Sequence, residues 1–173
     1  AYARKMTAFG EWCAEQGMPL AYHHHMAAAI ETEPELDLFM MHSGEGIPLL
    51  YDAGHMAFAG GDVLRVIDKH HARISHVHTK DVRMGVIDGL DRTRESFLDA
   101  VVKGAFTVPG DGDLDFEAIV KRLAAGRPEL VWCCISAMGL AYPEVPGYDP
   151  VLQALCGYMD LTGDPEGPPM QNG

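Results

Sequence analysis

Apolar residues recur along the chain in two rhythms. In residues 2–16, Met6, Phe9, Trp12 and Cys13 fall at helical spacing, and Gly17 and Pro19 supply a stop just beyond. Residues 18–25, MPLAYHHH, begin apolar and end on three histidines, which predicts a buried strand with polar groups at its C-terminal tip. Thr32 precedes Glu35 by three, a capping-box spacing, and Leu36, Phe39 and Met40 make the apolar stripe of a helix ending near Gly44. A second strand is predicted at 46–52, GIPLLYD, followed by a loop, AGHMAFAGG. A helix then runs from Asp62 through His70, with Asp62 as cap and Val63, Val66 and Ile67 on its core face. The segment 72–83, ARISHVHTKDVR, reads as a third strand and its exit. Helices are predicted at 95–103 and, after the turn-rich VPGDGD, over 114–126 with Phe116, Ile119, Val120 and Leu123 inward. Residues 129–135, ELVWCCI, predict a fourth strand, 149–161 a last helix, and 164–173 a disordered tail.

Strands alternating with helices imply an α/β fold with a parallel sheet and right-handed crossovers. The polar residues gather at the C-terminal ends of the strands, where such sheets place their sites. Four βα units over residues 1–163 form one domain, either an open sheet or half of a closed eight-stranded barrel, the whole of which takes about 250 residues. A half barrel leaves two bare sheet edges.

Composition narrows the range of partners. With 173 residues and 47% hydrophobic content, the chain is long enough for one domain with a core of its own. A net charge of −12 argues against nucleic acid or an anionic membrane surface as partner, because binding to phosphates needs clustered Lys and Arg. No apolar stretch approaches the roughly 20 residues of a bilayer span, and AYARKMTAFGEWC lacks a signal peptide's apolar run, so a cytoplasmic location is expected. Cys13, Cys133, Cys134 and Cys156 show no CxxC spacing and are expected to be buried, reduced thiols.

The densest chemistry lies on the third strand. Side chains alternate faces along a strand, which places His76, His78 and Lys80 on one face. Asp52 and His55 stand at the tip of the second strand, and His23, His24 and His25 at the tip of the first. Carboxylate and imidazole donors meeting at one sheet end suit Mn²⁺, Co²⁺, Fe²⁺ or Zn²⁺. The plainer alternatives are a solvated histidine run and an aspartate serving only as a turn residue. Asp111, Asp113 and Asp115 alternate as in a calcium loop, but Phe116 and Arg122 stand where such a loop needs glycine and glutamate, so a tight turn followed by an Asp115 helix cap is expected instead. The sequence contains no GxSxG, P-loop, dinucleotide fingerprint or HExxH.

YHHHM at 22–26, DAGHMAFAGGD at 52–62, RISHVHTKDVR at 73–83 and SFLDAVVKGAFTVPGDGDLDF at 96–116 together resemble the myo-inosose-2 dehydratase family, within the sugar isomerase/epimerase-like (β/α)₈ superfamily. The resemblance covers residues 18–126 and only the C-terminal half of the family's TIM barrel. It implies a longer chain or completion of the barrel by another chain, a homo-oligomer included. It also implies one divalent ion, Mn²⁺ or Co²⁺, held by Asp52, His78 and His23, with glutathione as an added thiol. Lys80, His55 and His24 are then the candidate proton carriers, and His25, His76, Asp81 and Arg83 the substrate-side residues, Asp81 orienting Lys80 and Arg83 meeting substrate hydroxyls. The implied reaction is loss of water from 2-keto-myo-inositol (scyllo-inosose), giving a trihydroxycyclohexane-dione, in inositol catabolism. A keto-sugar or keto-inositol isomerase or epimerase shares the deprotonation step. The family's last-strand glutamate is missing, since LVWCCISAMGLAYP holds no carboxylate between Glu129 and Glu144. Divergence or a frameshift explains that equally well, and a non-catalytic remnant is the third expectation.

Overall fold

A computed structural model describes residues 1–133 together with 156, 167 and 168. The chain divides after Pro128, and the unit Ala1–Pro128 carries all the elements below. Helix α1 (Tyr2–Glu15) leads to strand β1 (Tyr22–His23), α2 (Glu33–His42) to β2 (Leu49–Asp52), and α3 (Ala53–Phe58) with α4 (Val63–His70) to β3 (Ile74–His78). These three strands form a parallel sheet in the order β1-β2-β3. Beyond it, β4 (Asp81–Val82) pairs antiparallel with β5 (Phe106–Thr107), and α5 (Met84–Asp88), α6 (Phe97–Val102) and α7 (Phe116–Ala124) complete the unit. The parallel order of strands and helices is the one the periodicity predicts.

One core cluster, including Leu36, Phe39, Leu49, Tyr51, Val66, Ile67, Ile74 and Ile119, packs the helices onto the sheet. A second, with Met26, Phe58, Val82, Ile87, Ala100 and Ala105, lies under the β4–β5 pair. Local chemistry fixes the helix starts. Glu35 accepts the Thr32 N–H at 2.8 Å, and Asp62 and Asp115 cap α4 and α7 through the N–H groups of Arg65 and Ala118.

Several expectations need correction. The buried side of α1 is Ala3, Gly10 and Cys13, while Phe9 and Trp12 stack on each other in solvent with centroids 6.0 Å apart. Gly10 faces the chain at Gly46, so the smallest residues, not the largest, mark the packed face. Residues 53–58 form a helix where a loop is expected; every one is buried, so no apolar-polar alternation betrays the helix. The first and second strands are shorter than 18–25 and 46–52, and α5 falls in a stretch without periodicity. The third strand stops at His78, and Asp81 and Val82 belong to the separate pair. No strand forms over 129–133, where Val131 and Trp132 are exposed, and Cys133 is an exposed thiol, not a buried one. Residue 156 aside, the helix expected at 149–161 lies outside the described residues, as does the tail expected at 164–173 apart from 167 and 168.

Within the sheet, Leu49 pairs with Ile74 but Leu50 with His76, so Ser75 is an extra residue bulged out of β3. After the bulge His78 stands directly opposite Asp52.

Candidate active site

Asp52 ends β2 and caps α3, and its two oxygens divide the work. Oδ1 accepts the His55 N–H at 2.9 Å and fixes the start of α3. Oδ2 is buried without a hydrogen-bond partner, yet four cationic or imidazole nitrogens converge on it. They are Lys80 Nζ at 3.2 Å, His23 Nε2 and His78 Nδ1 at 3.4 Å each, and His55 Nε2 at 3.9 Å. His23 arrives from the tip of β1, His78 from β3, and Lys80 from the link between β3 and β4, so parallel pairing of three strand ends assembles the group.

Electrostatics keep Asp52 ionised. Burial pushes its carboxyl upward, but the Lys80 charge and the His55 N–H outweigh that and bring the pKa below the ordinary carboxylate value. Burial drives His55 the other way, to about 3, and His24 to about 4, both against the pull of Asp52. Both imidazoles are therefore neutral near neutral pH. His55 Nε2 accepts from Lys80 Nζ at 2.9 Å, which leaves the proton on Nδ1, a buried atom without a partner. His24, fully buried, uses Nε2 to accept the Asp52 backbone N–H at 3.1 Å. That bond locks the Asp52 backbone and turns His24 away from the open side. The pKa of His23 is lowered by burial, with Asp52 opposing.

Lys80 reaches Asp52 and His55 because Gly54 has no side chain: a Cβ there would meet Lys80 Cβ, Cγ and O at 2.9 Å. The His25 ring lies against that of His55, tilted by 44° with centroids 3.7 Å apart, and bonds its own loop through Nδ1 to the Met26 carbonyl.

The substrate-side candidates are placed less uniformly. His76 pairs with the exposed Ser75 hydroxyl at 3.0 Å, away from the group around Asp52. Asp81 does not orient Lys80. It is fully buried, and its carboxylate accepts the N–H groups of Val82, Gly110, Gly112 and Leu114 at 2.8–3.1 Å. Arg83 is likewise engaged within the loop, donating to the Gly104 carbonyl, the Thr107 hydroxyl and Asp111. Asp81 and Arg83 therefore hold the 107–114 loop, while Asp52 and His55 hold Lys80.

Two features escaped the sequence. His55 is read there as a proton carrier, but His23, Asp52 and His55 each offer a ligand atom within 4.8 Å of the others, a group able to hold a metal ion. The signal was present, since an N-cap side chain meets the third residue of its helix, but that helix was read as a loop. The rings of Phe97 and Phe106, 5.7 and 5.5 Å from His55, lie inside the 96–116 stretch that carries the resemblance but were given no role of their own.

The donor chemistry fits a divalent ion. One carboxylate oxygen and two or three imidazole nitrogens, with Asp52 Oδ2 and His23 Nε2 buried and unbonded, make a mixed N/O set suited to first-row ions.

A family model described as a xylose isomerase-like TIM barrel matches residues 1–155. The chain is 49% identical over 124 residues to the rhizopine catabolism protein MocC of Rhizobium meliloti, an alignment covering 72% of this chain and 38% of that protein. It is 46% identical over 125 residues to an inosose dehydratase of Geobacillus thermodenitrificans, covering 72% and 42%, and 45% identical over 122 residues to one of Clostridium perfringens, covering 70% and 41%. The chain thus spans about two fifths of the length of these curated relatives. Among solved structures, the probable 3-DHS dehydratase AsbF of Bacillus anthracis superposes with a TM-score of 0.57 at 16% identity, covering 73% of this chain and 46% of that one, a likeness of fold.

Proposed function

The chain belongs to the xylose isomerase-like TIM barrel family, and from that premise we propose that its site serves a hydro-lyase removing water from 2-keto-myo-inositol. The observation that carries this reading is the convergence of Lys80, His23, His78 and His55 on Asp52 Oδ2. Support for the substrate comes from the relatives named inosose dehydratase. Asp52, His23 and one further imidazole, His78 or His55, would hold a divalent ion, Mn²⁺ or Co²⁺ in this reading. When bound, such an ion supplies a Lewis acid for the ketone oxygen.

The chain's own groups account for the protons. The reaction takes a proton from the carbon beside the ketone and a hydroxide from the next, one water in all. Lys80 is the proton carrier facing substrate, its side chain one-third exposed: its ammonium gives a proton to the departing hydroxide and recovers one from the carbon beside the ketone, while His55 Nε2 at 2.9 Å accepts its hydrogen bond and orients it. Neutral His55, with its pKa near 3, leaves the charge on Lys80. His24 positions Asp52 instead of moving protons, because its one directed nitrogen is spent on the Asp52 N–H. Cooperation of residues 1–163 as one partial barrel domain is part of the same proposal.

The test is turnover of 2-keto-myo-inositol by the purified chain with Mn²⁺ or Co²⁺ and glutathione, followed by product mass. Loss of 18 mass units is expected, and Asp52→Asn, which keeps the helix cap, should cost about 100-fold or more. Equal rates for wild type and variant would remove Asp52 from the chemistry. A product of unchanged mass would indicate an isomerase, and no product under any condition would indicate a non-catalytic chain.

A further inference from the structure

Beside the polar site stands an apolar surface that the proton chemistry does not use. Phe97 and Phe106 have centroids 5.6 Å apart, and Phe58 backs both at 5.6 and 5.5 Å. Phe58 is a core residue, 5% exposed, whereas Phe97 and Phe106 are only half-buried. Their free surface borders the site. Phe97 lies 5.5 Å from the His25 ring and 5.7 Å from His55, and Phe106 lies 5.5 Å from His55 with Lys80 Nζ 5.3 Å from its centroid.

Both rings are held by elements that leave them little freedom. Phe97 is the first residue of α6, whose start is fixed by the reciprocal Ser96–Asp99 capping box. Phe106 is paired with Val82 in the β4–β5 ladder, two residues past Lys80. Both rings pack on the second core cluster and shield His55, and the part of their surface left half-exposed beside Lys80 and His25 is apolar area that a ligand can cover.

We propose that Phe97 and Phe106 form a wall that takes the C–H face of a six-membered carbocyclic polyol, making the site selective for ring ketones over open-chain keto sugars. Equatorial hydroxyls on a cyclohexane ring point outward, toward hydrogen-bonding groups, and leave the axial C–H bonds as two apolar faces. Such a face sits on the electron-rich face of an aromatic ring. An open-chain polyol with the same number of carbons and hydroxyls presents no flat face and must freeze several rotors to imitate one. The proposal rests on the reading of this site as one for a cyclic ketone, but it concerns binding and not turnover.

The experiment is calorimetric titration of the full chain, with and without Mn²⁺, using the unreactive probes myo-inositol and D-sorbitol. Wild type is expected to bind myo-inositol about tenfold more tightly, corresponding to the ~1.4 kcal/mol that one or two aromatic contacts supply. The double variant Phe97→Leu/Phe106→Leu, roughly conserving apolar volume, should bring the two affinities within about twofold through weaker myo-inositol binding. Phe97→Leu alone, at the start of a surface helix, should narrow the gap partway and serves if the double variant does not fold. Equal affinities in wild type, binding of neither probe, or an undiminished ratio in a folded variant would overturn the wall. Wild type that discriminates but leaves 2-keto-myo-inositol unreacted removes the dehydration and keeps the wall. Turnover without discrimination does the reverse.

Discussion

Asp52 shows how one side chain serves fold and site together: Oδ1 closes the first turn of α3 and Oδ2 gathers the surrounding nitrogens. Its neighbours set an acid limit on stability. His24 has its pKa lowered from 6.5 to about 4 by burial, so the unfolded chain binds more protons than the folded one between those values. Stability is then fully present above pH 6.5 and falls as pH drops toward 4, by on the order of 3 kcal/mol for this group. Thermal melts of the metal-free chain in EDTA should show a midpoint that falls over this range. In His24→Gln, whose side-chain oxygen still accepts an N–H but does not titrate, the fall should be shallower; an unchanged slope would exclude His24 as the source. At this scale the sequence was informative about residue type and weak about partners. Spacing brought forward Asp52 and His55 at one strand tip, the run His23–His25 at another and the face of His76, His78 and Lys80, and the family resemblance singled out Asp52, His78 and His23 among them. Nothing in spacing reveals that His24 faces inward, or that Asp81 is enclosed by amides.

Among elements, the 107–114 loop matters most, because the β4–β5 pair that carries Phe106 also anchors that loop. Asp81 gathers four N–H groups, Asp113 accepts the Met84 N–H at 2.6 Å, and Arg83 joins Asp111. Gly112 lies against the Asp81 carboxylate with no room for a side chain. Asp81→Asn turns one acceptor oxygen into an NH₂ group facing amide donors, and should cost about 2–4 kcal/mol. Denaturant midpoints would read that loss, and amide exchange at Gly110, Gly112 and Leu114 should accelerate more than in α4; uniform acceleration would mean that Asp81 supports the whole unit rather than this loop. The helix caps at Thr32 with Glu35, at Asp62 and at Asp115 were legible, because a cap is a local interaction, whereas the Ser96–Asp99 box was not picked out. α3 was not, because its burial on all sides erases the alternation that periodicity reads. The short strands were overextended for the opposite reason: apolar residues continue past the point where pairing ends.

For the whole molecule, the parallel β/α order was visible in the alternation of patterns, and so was partial coverage of a barrel. Among the described residues, the unit Ala1–Pro128 holds both cores and the groups that surround Asp52. Arg127 closes it by donating to the Ile74 and His71 carbonyls. A chain ending after Pro128 should therefore unfold in one cooperative transition and still develop a cobalt absorption band that Asp52→Asn abolishes. Cobalt titration followed by a melt checks both, and a non-cooperative melt would mean that residues beyond 128 are needed for the core. Among the described residues no helix is long and apolar enough to cross a membrane.

The bulge at Ser75 sets which length changes β3 can absorb. His76 already faces Leu50 and His78 already faces Asp52, so Ser75 is a spare link: removing it straightens the ladder without moving either histidine along β2. Val77 has no such slack, since removing it shifts everything after it by one step and turns His78 to the other side of the sheet. Single-residue deletions should thus differ sharply between neighbouring positions, with ΔSer75 keeping cobalt binding and ΔVal77 losing it. Natural variation in chain length along this strand should be admitted at position 75 and refused two residues later.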